Sequence, residues 1–179
     1  MELEPTPIAG CFILHPTVFK DERGYFFERF NARTFKKLTG HAIDFVQDNE
    51  SLSSYGVIRG LHAQAGEAAQ SKIVSVSRGR VLDVVVDNRP DSKTYLQSFS
   101  IELSEANKTQ LFVPRGMLHG FAVLSENAKF LYKCDNFYDK SSEIGLRYDD
   151  PTLAIDWKIP PADRVVSEKD LALPFLKTS

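Results

Sequence analysis

Arg59 and His62 stand three residues apart in Gly56-Val57-Ile58-Arg59-Gly60-Leu61-His62-Ala63-Gln64. A second histidine, His119, follows in Pro114-Arg115-Gly116-Met117-Leu118-His119-Gly120-Phe121. An imidazole ordinarily titrates near neutrality, so it accepts a proton at working pH. A carboxylate bonded to its other nitrogen would fix the tautomer, as in catalytic triads. A guanidinium binds oxyanions with a planar fork. An isolated histidine is more often a buried side chain with satisfied hydrogen bonds. Arg59, Gln64 and Lys72 close by in the sequence favour a working one. The two histidine segments are therefore expected to meet in one pocket that holds a base and an anion-binding group. If Arg59 to Gln64 is a strand, Gly60, His62 and Gln64 share one face and Arg59 and Leu61 the other.

The elements that position these residues read mostly as short strands. Ile8 to His15 follows a proline-marked start, Lys20-Asp21-Glu22-Arg23-Gly24 is a turn, and Tyr25 to Phe30 is aromatic and strand-like. Asn31 is placed to cap a short helix running through Leu38, and Phe45 to Ser51 opens a polar segment. The clearest β signal lies over residues 72–87. There Ile73 to Ser77 and Val81 to Asp87 flank Arg78-Gly79-Arg80, which reads as a hairpin turn. In the second arm Val81, Asp83, Val85 and Asp87 share one face and Leu82, Val84 and Val86 the other; in the first, Lys72, Val74 and Val76 align. Further strands are expected near Ser98 to Leu103, Gln110 to Val113, Gly120 to Leu124 and Lys129 to Lys133. Asp149-Asp150-Pro151 and Pro160-Pro161 then break the chain, and Ser167 caps a last helical turn. This pattern predicts a mainly β protein, a jelly-roll barrel or sandwich with few short helices, over one domain spanning residues 1–179.

Composition narrows the partners. The net charge of −2 supplies no basic field for nucleic acid, and no apolar run approaches membrane-spanning length. The start, Met1-Glu2-Leu3-Glu4-Pro5-Thr6-Pro7, is acidic and proline-rich, unlike a secretory signal. Two cysteines, Cys11 and Cys134, form neither a disulfide framework nor a zinc pattern and suit a reducing cytoplasm.

The histidine spacing resembles that of the cupin barrels, which carry a glycine, a His-x-His set with a glutamate, and then Pro-x-Gly-x-x-His around a metal. Pro114-x-Gly116-x-x-His119 fits the later part and Gly56 with His62 the earlier. Gln64 stands where a second histidine belongs, and the glutamate has no counterpart. Two imidazoles and an amide make a poor transition-metal site. The expectation is a cupin-like fold without metal, in which His62 is free to act as a base.

An ordered series of segments resembles the dTDP-4-dehydrorhamnose 3,5-epimerase family from about Gly10 to Leu176. It comprises Asp21-Glu22-Arg23-Gly24-Tyr25-Phe26-Phe27-Glu28, Gln47-Asp48-Asn49, Arg59-Gly60-Leu61-His62-Ala63-Gln64, Gln70-Ser71-Lys72 and Val113-Pro114-Arg115-Gly116 running into His119-Gly120-Phe121. Tyr132-Lys133-Cys134, Asn136-Phe137-Tyr138, Asp149-Asp150-Pro151 and Ser167-Glu168-Lys169-Asp170 complete it. The resemblance implies a homodimeric, cofactor-free epimerase acting on a dTDP-4-keto-6-deoxyhexose, whose 4-keto group acidifies the hydrogens at C3 and C5. By family position His62 is the base, Asp170 its dyad carboxylate, Lys72 the cation beside the enolate oxygen and Tyr132 the proton donor. Arg23 and Arg59 become partners for the diphosphate; Glu28, Gln47 and Asn49 line the nucleotide or sugar site; Glu143 and Lys169 add contacts. Tyr138 packs on thymine, and His119, paired with Asp83, holds sugar or enolate oxygens.

Ala63 departs from the family, which usually has an aromatic residue there. Relatives that epimerise one carbon only share the same motifs, so a mono-epimerase stands as the alternative, with a silent sugar-nucleotide-binding module and a metal-dependent cupin oxygenase behind it. The strand near Ile8 to His15 is the segment expected to cross between subunits, since exchange removes an exposed sheet edge.

Overall fold

A computed structural model describes residues 1–177 of the chain. The strands are β1 (Glu2–Pro5), β2 (Phe12–His15), β3 (Phe19–Asp21), β4 (Gly24–Phe26), β5 (Gln47–Ser54), β6 (Val57–Gln64), β7 (Lys72–Arg78), β8 (Arg80–Asp87), β9 (Ser98–Ser104), β10 (Gln110–Val113), β11 (Met117–Val123), β12 (Asn127–Cys134), β13 (Glu143–Gly145) and β14 (Val165–Val166). Helix α1 (Ala32–Thr39) follows β4, and α2 (Glu168–Leu171) follows β14. One sheet runs β1-β2-β10-β7-β12-β5. The facing sheet runs β13-β6-β11-β8-β9, with β14 added parallel to β6, and β3-β4 pair only with each other. This is the jelly roll that the strand pattern predicts.

Period-two patterning explains the layers. Val81 and Val85 of β8 face Val74 and Val76 of β7 across the interior, with Phe121 and Phe130 between the sheets. Leu82, Val84 and Val86 point the opposite way and pack with Ile58 and Leu61 beneath Trp157 and Ile159 from the C-terminal segment. On the outer face of the other sheet, Ile73 and Phe112 pack under Phe35 of α1. Each large side chain buried this way contributes about 1.5–3 kcal/mol relative to exposure. The caps also follow the sequence. Asn31 Oδ1 accepts from the Arg33 and Thr34 N–H groups, and Ser167 Oγ accepts from Asp170 N–H.

Three expectations are corrected. Arg78-Gly79-Arg80 is not a hairpin turn: β7 pairs with β10 and β12, and β8 with β9 and β11. The apolar faces of both arms meet each other across the core, so the chain crosses from one sheet to the other at Gly79, whose φ is +74°. The polar stretch from Gln47 is an eight-residue edge strand. The segment Ile8 to His15 is a strand only from Phe12, and within its own chain it pairs with β1 and β10. Among the described residues, no helix is long and apolar enough to cross a membrane.

Candidate active site

The cleft opens between the two sheets. His62 on β6 and His119 on β11 are paired neighbours on one wall, while Lys72 on β7 and Tyr132 on β12 come from the other. Cavities of about 290 and 360 Å³ meet at His62, Lys72 and Tyr132. The first is walled by Arg59, His119, Phe121, Phe130, Ser167, Lys169 and Asp170, the second by Gln47, Asn49, Gln64, Gln70, Tyr138 and Glu143.

The alternation expected along β6 fails at one point. His62 lies opposite His119, but Arg59 lies opposite Phe121, so Gly60 and Leu61 together face Gly120 alone. This bulge puts Arg59 and His62 on the same face and sends Leu61 into the outer core with Ile58. Residue 60 is glycine for two reasons: its φ is +117°, and a Cβ there would lie 2.6 Å from Gly120 Cα and 2.7 Å from the His119 carbonyl oxygen.

His62 Nε2 lies 2.8 Å from Asp170 Oδ1. A carboxylate only accepts, so Nε2 carries the proton and donates, which leaves Nδ1 as the basic atom. Asp170 is 4% exposed, and its Oδ2 accepts from Gly60 N–H at 3.3 Å. Burial pushes its carboxyl up; the His62 bond and charge, Gly60 N–H and Ser167 outweigh it and hold the group below the usual carboxylate range. His119 Nε2 lies 2.9 Å from Asp83 Oδ2, the pairing anticipated from the strand faces. Burial lowers the Lys72 ammonium, while the carboxylates of Asp83 and Glu143 work against it. Its Nζ stands 5.8 Å from the centre of the Tyr132 ring. The Tyr132 phenol is raised, chiefly by burial and secondarily by Cys134, with Arg59 opposing, so it remains protonated at neutral pH.

The second lobe is tied together by side chains. Gln47 Nε2 donates to Asn49 Oδ1, Tyr138 N–H donates to Gln47 Oε1, and Tyr138 OH donates to Glu143 Oε2. Burial raises the Glu143 carboxyl, but Lys169 and Tyr138 together bring it below its ordinary value. Arg59 Nε donates to Ser53 Oγ at 3.1 Å. Gln64 Oε1 accepts from Asp139 N–H, so the residue in the metal-ligand position anchors a loop. No group of three or more His, Cys, Asp or Glu that could hold a metal ion occurs among the described residues.

Arg23 and Glu28 are not brought into this cleft. Arg23 sits on the turn between β3 and β4, paired with Asp21 and lining a separate hollow with Phe19 and Phe26. Glu28 accepts from Asn31 Nδ2 beside the start of α1. The β3–β4 hairpin joins neither main sheet. Phe121, Phe130, Ser167 and Gln70 line the site without having been assigned to it from sequence. Ser167 carried a signal, as a cap three residues before Asp170.

The chain is similar to known proteins over nearly its whole length. Residues 5–178 match the family model described as dTDP-4-dehydrorhamnose 3,5-epimerase. The chain is 47% identical to the Salmonella typhimurium protein of that name over 96% of this chain and 93% of that one. Its structure superposes on the dTDP-4-dehydrorhamnose 3,5-epimerase of Elizabethkingia anophelis with a TM-score of 0.95 at 56% identity, covering 98% of this chain and 96% of that one. The dTDP-6-deoxy-D-glucose-3,5-epimerase of Legionella pneumophila, solved in complex with dTDP-4-keto-L-rhamnose, gives 0.93 at 44% identity over 97% and 92%. A family match over residues 5–178, with relatives this similar over nearly the whole chain, places it in one family: the protein belongs to the dTDP-4-dehydrorhamnose 3,5-epimerases.

Proposed function

We propose that this protein inverts C3 and C5 of dTDP-4-dehydro-6-deoxy-D-glucose to give dTDP-4-dehydro-L-rhamnose, working as one catalytic domain in the cytoplasm. The observation that carries this reading is the placement of the His62–Asp170 pair on one wall and of Lys72 and Tyr132 on the other. His62 Nδ1 removes the hydrogen next to the 4-keto group, and the electron pair moves onto the carbonyl oxygen. Lys72, with His119, stabilises the enolate oxygen, a charge that develops only as the bond breaks. Tyr132 OH then delivers a proton to the opposite face of the carbon. Solvent reprotonates the phenolate and takes the proton from His62, and the cycle repeats at the second carbon. The substrate's own ketone is the electron sink, so the sequence of steps uses no cofactor.

Arg59 and Lys169 supply cations for the diphosphate, Gln47, Asn49 and Glu143 contact sugar or nucleoside, and Tyr138, half exposed, stacks on thymine. Arg23 and Glu28 reach a substrate only in a second copy's cleft. This supports a homodimer built around the β3–β4 hairpin, whose Phe19, Tyr25 and Phe26 are 62%, 56% and 70% exposed. Proton NMR of the substrate with enzyme in heavy water tests the reaction. Deuterium entering C3 and C5 with inversion at both is expected. Exchange at one carbon would make the protein a mono-epimerase, and none would make it a binding module.

A further inference from the structure

Arg147 does not line the cleft, yet it connects the two halves of the base pair. Leu146, beside it, exchanges backbone hydrogen bonds of 3.1 Å in both directions with Leu61 of β6, the neighbour of His62. The Arg147 backbone N–H donates to the Pro174 carbonyl at 2.9 Å. Its Nη1 donates to the Leu171 carbonyl at 2.9 Å, and Leu171 ends the helix whose preceding residue is Asp170. Its Nε and Nη2 fork onto Asp149 at 2.8 Å each, and its Cζ stacks 4.8 Å from the centre of the Phe175 ring.

Helix α2 needs such a tether. It has four residues, one turn, far short of a length that holds itself in water. Its start is fixed by the Ser167 cap and by the two-residue pairing of β14 with β6. Its end is fixed by Arg147, which places a cation on a free helix carbonyl. The fork on Asp149 and the Phe175 ring hold the guanidinium in that pose; the Asp149 bond raises the Arg147 pKa, so the charge is permanent.

We propose that Arg147 is a positioning residue for catalysis: it clasps the segment carrying Asp170 to the strand carrying His62 and thereby sets the 2.8 Å contact between them. The proposal rests on the reading of His62–Asp170 as the base pair. It is tested with the full chain by steady-state kinetics and deuterium exchange for Arg147→Gln, Arg147→Lys, Asp170→Asn and the Arg147→Gln/Asp170→Asn double variant. Displacing a catalytic group by about an ångström costs on the order of a hundredfold. Arg147→Gln is therefore expected to lower kcat for exchange by up to about that factor with KM unchanged. Arg147→Lys should recover part of the loss, because an ammonium reaches one acceptor but cannot also fork onto Asp149. In the Asp170→Asn background Arg147→Gln should cost nothing further, since both changes act through one contact. Equal losses in the two backgrounds, a rise in KM alone, or full activity in Arg147→Gln would overturn the proposal. If Arg147→Gln fails to fold by circular dichroism, the same comparison is made with Arg147→Lys. Wild-type exchange in Asp170→Asn would remove the base-pair reading itself, and the proposal with it.

Discussion

With Nε2 committed to Asp170, the imidazole of His62 has a single atom with which to take a proton, and the hydroxyl able to return one comes from the facing sheet. That division gives a prediction for Tyr132→Phe. The ring stays, so its packing beside Phe130 persists and only the hydroxyl is lost. His62 still forms the enolate. Without the phenol the enolate collapses by taking a proton back from His62 on the original face. When that proton has traded with solvent, the sugar gains deuterium and keeps its configuration. Net inversion should therefore fall far more than exchange, both read from one NMR time course. A matching fall in the two would mean that Tyr132 is needed to form the enolate. His62→Ala should instead abolish exchange and inversion together, with a loss of about a hundredfold to ten-thousandfold. Near-normal exchange in a folded His62→Ala protein would move the base to His119.

At the scale of elements, the site depends on an irregularity that pattern reading does not see. Strict alternation describes β8, where Val81, Val85 and Asp83 face inward while Leu82, Val84 and Val86 face outward. On β6 the same rule places Arg59 away from His62, because Gly60 within the run permits a bulge without fixing that the register shifts there. Its cause is remote in sequence: the close approach of Gly120 on β11. The hairpin reading at Arg78-Gly79-Arg80 fails for a related reason, since a glycine between two apolar strands marks a reversal without saying whether the arms pair or face each other. Caps depend on local chemistry alone, so Asn31 and Ser167 are legible. The polar edge strand from Gln47 is not, because one of its faces meets solvent and the other a polar cleft. Gly60→Ala tests the bulge. A side chain at φ +117°, in contact with the β11 backbone, costs at least about 1–3 kcal/mol. For a chain of this size that is a fall in melting temperature of roughly 2–12 °C. Exchange should drop beyond what the residual folded fraction explains, since Arg59 and His62 no longer share a face. An unchanged melting temperature would show that the bulge tolerates a Cβ and is not what aligns the two residues.

Over the whole molecule, the unexplained feature is the β3–β4 hairpin. It belongs to neither sheet, carries three exposed aromatic side chains, and holds Arg23 and leads into Glu28, two residues matched to substrate binding that do not line the cleft. Exposed aromatics rimmed by charge mark a contact surface. Within its own chain Lys108 Nζ donates to Tyr25 OH and lies 4.1 Å from the centre of its ring. A homodimer that covers Phe19 and Phe26 and delivers Arg23 and Glu28 to the opposite cleft accounts for all of these observations. Light scattering at micromolar concentration should therefore report twice the 20.2 kDa chain mass, and Phe19→Ser/Phe26→Ser should shift it toward the monomer while lowering kcat/KM. The sharper measurement mixes two defective proteins. His62→Ala lacks the base but keeps Arg23; Arg23→Ala keeps the base but loses the diphosphate contact. In a mixed dimer, the cleft of the Arg23→Ala subunit has its own His62 and receives Arg23 from the other subunit, so it is complete. Subunit exchange between the two variants should restore exchange activity at subsaturating substrate above the sum of the separate proteins. If each cleft used only its own chain, mixing would restore nothing. A simple sum, with light scattering confirming that mixed dimers have formed, would place Arg23 outside the partner's site.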